Sequence, residues 1–320
     1  MAISFPDAKM FHTNGINMEV FEQGDGFPLI LAHGFPELAY SWRFQLPALA
    51  EAGYRVIAPN QRGYGATDKP EPVEAYDLRN LCGDMAGLMD TLGLEKAVFI
   101  GHDWGGPVVW NMPLFYPDRV AGVVGMSVLF SPRGASDPVA MLEKVFGQEH
   151  YIVHFNRKPG EADAAFAANP RQFFKNVFRH RQWESRTSTP STKRPRFNVS
   201  LMAMLDVTDP PGESLMSEEE LAVFIDAFNK GGFTGPINWY RNITRNWENS
   251  ADLPQRIHVP CAMIYGTHDI VPKGGDVSDY VPNLESIILD CGHWIQQEKP
   301  DEVNAFLLDW LKRNAFSSTG

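Results

Sequence analysis

The stretch GHDWGG, residues 101–106, places small residues two positions before and two after Asp103, the spacing that a tight strand-to-helix turn needs to present a nucleophile. The apolar run KAVFI precedes it, and GPVVWNMPLFYP, with a helical pattern, follows. A turn of this shape usually carries Ser. A carboxylate in its place is already ionised at neutral pH and can displace a leaving group from a saturated carbon, whereas a hydroxyl must first lose its proton to a base. The residue at the turn therefore points to attack on an alkyl carbon.

Working outward, short apolar and β-branched runs recur with helical patterns between them: PLILAHG (28–34), YRVIAPN (54–60), KAVFIGH (96–102), VAGVVGMSVLF (120–130), CAMIYGTHD (261–269) and ESIILDCGH (285–293). Near-continuous apolar strands alternating with helices predict an α/β fold, a mostly parallel sheet covered on both faces. INMEVFEQGDG (16–26) adds antiparallel strands at one edge. From 131 to 251 the strand rhythm stops. Helix-like segments such as PRQFFKNVFRHRQ and SEEELAVFIDAFNKG take over, with a Ser/Thr/Pro/Lys/Arg-rich loop at 187–196. We read 1–130 with 252–320 as the core domain and 131–251 as an inserted helical cap, which would roof the carboxyl ends of the strands where ligands bind in open α/β sheets.

The other chemistry-bearing residues fall at those strand ends. His33-Gly34-Phe35-Pro36 closes PLILA, where this architecture supplies one backbone N–H of an oxyanion hole, here that of Phe35; the other is the N–H of Trp104. Asp269 ends YGTHD and His293 sits in CGHW, so nucleophile, acid and base follow in chain order. A lone His after a strand is more often a satisfied loop residue. The order across three strand ends carries the assignment of His293 as a general base held by Asp269. His102 and His268 read as structural supports, His154 stays open, and Pro113 is expected to kink the helix after the turn.

Composition narrows the class. The formal net charge of -11, with acidic and basic residues interspersed, argues against nucleic acid or an anionic membrane as partner. No run approaches the length of a membrane span, and MAISFPDAKMFHTNG lacks the features of a secretory signal, so a cytoplasmic protein is expected. Cys82, Cys261 and Cys291 lack metal-ligand spacing and read as buried thiols. No metal or organic cofactor is called for.

HGFPE, GHDWGG, GTHD, CGHW and NWYRN together resemble the epoxide hydrolases of the α/β-hydrolase family, over about residues 26–310. The resemblance implies two cap tyrosines facing Asp103: Tyr240 in NWYRN, and Tyr151 in HYIVHF by its distance from the following Pro-Gly. Neutral phenols can donate to the oxygen that leaves an opening ring. It also implies a small apolar epoxide and water as reactants, with His33, Pro36, Trp239 and Trp294 around the substrate pocket. Whether the chain forms a homodimer is left open. A haloalkane dehalogenase would share the Asp and the following Trp but resemble HGNP, with a halide donor that Phe35 lacks; a haloacetate dehalogenase would carry arginines where Gly105, Gly106 and Pro107 stand. A non-catalytic receptor on the same fold is the third reading.

Overall fold

The computed structural model describes residues 5–180, 199–210 and 212–316. The Ser/Thr/Pro/Lys/Arg-rich loop at 187–196 lies outside them. Eight strands form one sheet: β1 (Lys9–Thr13), β2 (Ile16–Gln23), β3 (Phe27–Ala32), β4 (Tyr54–Pro59), β5 (Ala97–His102), β6 (Val120–Met126), β7 (Cys261–Gly266) and β8 (Leu284–Leu289). Their spatial order is β1-β2-β4-β3-β5-β6-β7-β8. The hairpin β1–β2 and the pair β2–β4 are antiparallel, and every pairing from β4 to β8 is parallel.

The central strands are apolar throughout because alternate residues face two different cores. In β3, Ile30 and Ala32 join the cluster that includes the helices Leu78–Thr91 and Gly105–Phe115. Leu29 and Leu31 join a second cluster, packed with the helices Gln45–Glu51 and Pro300–Arg313. β8 departs from the expected two-sided cover. It is an edge strand, and its Ile288 is 56% exposed. The run 120–130 is also shorter as a strand than its apolar pattern suggests, for β6 ends at Met126 and Ser127 turns into the left-handed region with φ 69°. Pro113 falls in the last turn of its helix, which ends at Phe115.

Among the described residues eight helices lie between β6 and β7, from Pro138–Phe146 to Ile243–Asn249. Phenylalanines fill the space among them: Phe166 stacks on Phe173 at 4.3 Å, and Phe174 on Phe178 at 5.6 Å. Polar ties bind this layer to the sheet domain. Ser217 and Glu220 form a capping box that starts the helix Glu218–Gly231, and Glu220 Oε1 also accepts from Nε of the buried Arg43 at 2.7 Å. Trp239 Nε1 donates to the Arg62 carbonyl, and Trp294 Nε1 to the Val177 carbonyl, both at 3.0 Å. No helix of the described residues is long and apolar enough to cross a membrane.

Candidate active site

At the end of β5, Asp103 adopts φ 49°, a conformation that residues other than Gly visit rarely and that marks a strained turn. The glycines around it are needed for close approach. A Cβ on Gly101 would strike the Gly105 carbonyl, and one on Gly105 would strike the Ala32 carbonyl of the neighbouring strand. The turn thus lifts the Asp103 carboxylate to the carboxyl ends of β3, β5 and β6.

The two carboxylate oxygens have different surroundings. Oδ1 accepts from the Phe35 N–H at 2.8 Å, while Oδ2 lies 3.5 Å from His293 Nε2. On its other side, His293 Nδ1 is 2.9 Å from Asp269 Oδ1 and 3.1 Å from Ser127 Oγ. Asp269 is itself fixed by the Val271 N–H, which donates to Oδ1 at 2.9 Å. Burial alone would push the His293 imidazolium down, but Asp269 and Asp103 on its two sides outweigh it and raise its pKa well above the usual histidine range. Burial would likewise raise the Asp103 and Asp269 carboxyls, and the His293 partner holds both below the ordinary value. The ring thus lies between two carboxylates that both favour its protonated form.

Tyr151 and Tyr240 face this triad from the helices Tyr151–Arg157 and Thr234–Arg241, their rings 5.6 Å apart. Tyr240 packs edge-on against Trp104 at 5.1 Å and Phe35 at 5.3 Å. Burial first, and then the Asp103 charge, raise both phenols above their ordinary pKa, so they stay protonated donors. Two cavities meet at Asp103, Tyr151 and Tyr240. The larger, about 290 Å³, is walled mainly by apolar groups such as Pro107, Val128, Ile152 and Ile243. The smaller, about 40 Å³, lies toward Phe35, Pro36, His293 and Trp294.

Two residues expected in the pocket wall stand behind it instead. His33 is fully buried; its Nε2 accepts from the Gln61 N–H at 3.1 Å, and its ring meets Tyr64 edge-on at 4.7 Å. Trp239 is also fully buried, its indole N–H spent on the Arg62 carbonyl and its ring against Trp104. His102 supports the site from below, with Nε2 2.8 Å from the His293 carbonyl and Nδ1 2.6 Å from Glu37 Oε2. His268 contacts Asp290 at 3.0 Å near the surface, and the buried His154 sits 4.0 Å from Glu161, too far for a hydrogen bond.

Sequence reading missed Glu37. This wholly buried carboxylate accepts from the Gly34 N–H, His102 Nδ1, Gln296 Nε2 and Gln297 Nε2. It ties the loop that carries Phe35 to the segment that carries His293. Ser127 was missed as well, because it stands inside an apolar run that reads as uninterrupted strand.

Residues 28–300 match the alpha/beta hydrolase fold family. Epoxide hydrolase A of Mycobacterium tuberculosis is 42% identical over 96% of this chain and 97% of that protein. The chain belongs to the epoxide hydrolases of that fold. Bifunctional epoxide hydrolase 2 of Sus scrofa is 39% identical over 94% of this chain, which spans 54% of that protein. Among solved structures, that of Epoxide Hydrolase A from Mycobacterium thermoresistibile superposes with a TM-score of 0.86 at 39% identity, covering 96% of this chain and 98% of that one. Membership in this group makes the chain a hydrolase acting on ether bonds, and it favours neither the dehalogenase nor the receptor reading.

Proposed function

We propose that the protein converts an apolar epoxide to a vicinal diol through a covalent ester on Asp103. The observation that carries this route is the division of labour within the Asp103 carboxylate, with Oδ1 on the Phe35 N–H and Oδ2 turned toward His293. Oδ2 attacks one ring carbon from behind as the carbon–oxygen bond of the ring breaks, and Tyr151 and Tyr240 donate to the departing oxygen. Oδ1 then remains as the ester carbonyl in the oxyanion hole formed by the Phe35 and Trp104 N–H groups. Water, giving a proton to His293 Nε2, adds at that carbonyl carbon. Collapse of the oxyanion expels the diol with Oδ2 as one of its oxygens.

On this reading residues 131–251 serve as the cap, the substrate enters the 290 Å³ cavity with its bulk, and no cofactor takes part. The net charge of -11 and the apolar walls favour a small neutral substrate in the cytoplasm over nucleic acid. Single-turnover reaction in heavy-oxygen water tests the route. The diol of the first turnover should carry enzyme oxygen and no solvent label, and solvent label in that diol would refute the ester.

A further inference from the structure

Ser127 combines three properties that nothing in the reaction outlined above uses. It is 1% exposed. It is one of four non-glycine residues with positive φ among the described residues, at 69°, directly after β6. Its Oγ lies 3.1 Å from His293 Nδ1, the nitrogen that also faces Asp269 Oδ1 at 2.9 Å. The backbone at this point is pinned on the neighbouring strand by the Ser127 N–H, which donates to the Ile264 carbonyl at 3.1 Å. Glycine adopts such a φ at no steric cost, while serine pays for it in strain. The hydroxyl is what the strained position supplies and glycine would not.

We propose that Ser127 is a positioning residue for the acid–base pair, its hydroxyl fixing the ring plane and the proton of His293 Nδ1 so that Nε2 faces the ester on Asp103. His293 Nδ1 carries one proton and has two oxygens before it. Asp269 Oδ1 is the stronger acceptor. The Ser127 oxygen takes the second branch of a forked bond, and its own O–H is free to turn to the Asp269 carboxylate beside it, whose pKa it helps to lower. The group touched is His293 on its far side, so Ser127 contacts neither the epoxide nor Asp103. Its effect belongs to ester cleavage alone, because ring opening uses an ionised carboxylate and two phenols.

This inference rests on the covalent route, and the test separates the two. Wild type, Ser127→Gly and Ser127→Ala are mixed with a styrene-type epoxide, and formation and loss of the ester are followed by rapid quenching and intact-protein mass. The Gly variant removes the strain and the hydroxyl together, and the Ala variant removes the hydroxyl alone. Both should form ester at the wild-type rate and lose it about tenfold or more slowly, the loss of one hydrogen bond to a charged group. Ser127→Gly should also melt no lower than wild type, a pairing of full stability with slow cleavage that a packing role would not produce. Wild-type ester loss in the Gly variant, or equal slowing of both steps, would overturn the role of Ser127. Absence of any ester on wild-type Asp103 would overturn the covalent route itself.

Discussion

Removing the Tyr240 hydroxyl, and nothing else, isolates its proposed role because the ring is held by packing on every side. Phe at this position keeps the edge-on contacts to Trp104 at 5.1 Å, Phe155 at 5.2 Å, Phe35 at 5.3 Å and Tyr151 at 5.6 Å. Stability should therefore change by no more than about 1 kcal/mol, the usual net value of one hydrogen bond. The alkylation rate should respond far more. A bond donated to a developing alkoxide is worth about 1.5–3 kcal/mol, which is roughly a ten- to 150-fold slower ester formation. Tyr151→Phe should act alike, since both phenols line both cavities with Asp103. The double change leaves the alkoxide among apolar walls without a donor, and should slow alkylation by roughly 10²–10⁴-fold or more. Rapid quenching with intact-protein mass reads ester formation, and thermal melting reads the fold. If all three variants fold normally and alkylate at the wild-type rate, the tyrosines only pack, and the dehalogenase chemistry of the same Asp returns.

Further outcomes follow from neighbouring contacts. His293→Gln should consume about one epoxide per enzyme and stop with the ester on Asp103, as intact mass would show; a variant that turns over normally would remove His293 as the base. In the wild type the raised His293 pKa adds stability that is complete below the unfolded value of 6.5 and is lost as pH rises from there through the folded value. The stability advantage of wild type over His293→Gln in urea should accordingly shrink from pH 6.5 upward, and an advantage that grew with pH would contradict the raised value. Glu220→Gln leaves the 1% exposed Arg43 with Gln297 Oε1 at 2.7 Å but no carboxylate, and should cost about 1.5–3 kcal/mol in urea unfolding; an unchanged midpoint would show that this pair does not anchor the helical layer. Gly105→Ala sets a Cβ on the Ala32 backbone and should cost more than about 3 kcal/mol or abolish soluble protein; a stable, active Ala variant would disprove the need for close approach there.

What the sequence made legible was local or periodic. GHDWGG encodes its turn through two glycines whose absent side chains are replaced by carbonyl oxygens of the same turn and of β3, a short-range constraint visible as a spacing. Two-sided strands show as unbroken apolar runs, and the helices between β6 and β7 as the loss of that rhythm. Partners joined across long stretches of chain left no such trace. Nothing beside Glu37 in the chain marks it, and only folding brings Gln296 and Gln297 to it. Ser127 hides in an apolar run because strand patterning records which side chains are buried and says nothing of φ. His33 and Trp239 failed in the opposite way. Each sits within two residues of a motif residue that does face the pocket, and nearness in sequence does not decide which side of a wall a ring occupies.

On the proposed route, the charges around His293 explain how one site can hold a nucleophile and a base without the base consuming the nucleophile's charge. At rest the His293 ring lies 2.9 Å from Asp269 and 3.5 Å from Asp103, and both carboxylates raise its pKa against burial. A protonated His293 takes no proton from water, which suits a step that needs none. Alkylation turns Asp103 into a neutral ester and removes one of the two charges that hold the proton, so burial now counts for more and the imidazolium is weakened. Ring opening itself draws on Tyr151 and Tyr240 as donors, and on the proposed route the one proton that the alkoxide finally keeps equals in number the one that His293 gives up before it acts as a base. Neutral His293 then faces an ester, which is the state in which a base is useful. Cleavage by water yields the diol and a proton, and as the Asp103 carboxylate reappears that proton is held again on His293. The cycle closes in charge and in protons without any outside acid, and base strength rises only while there is an ester to cleave.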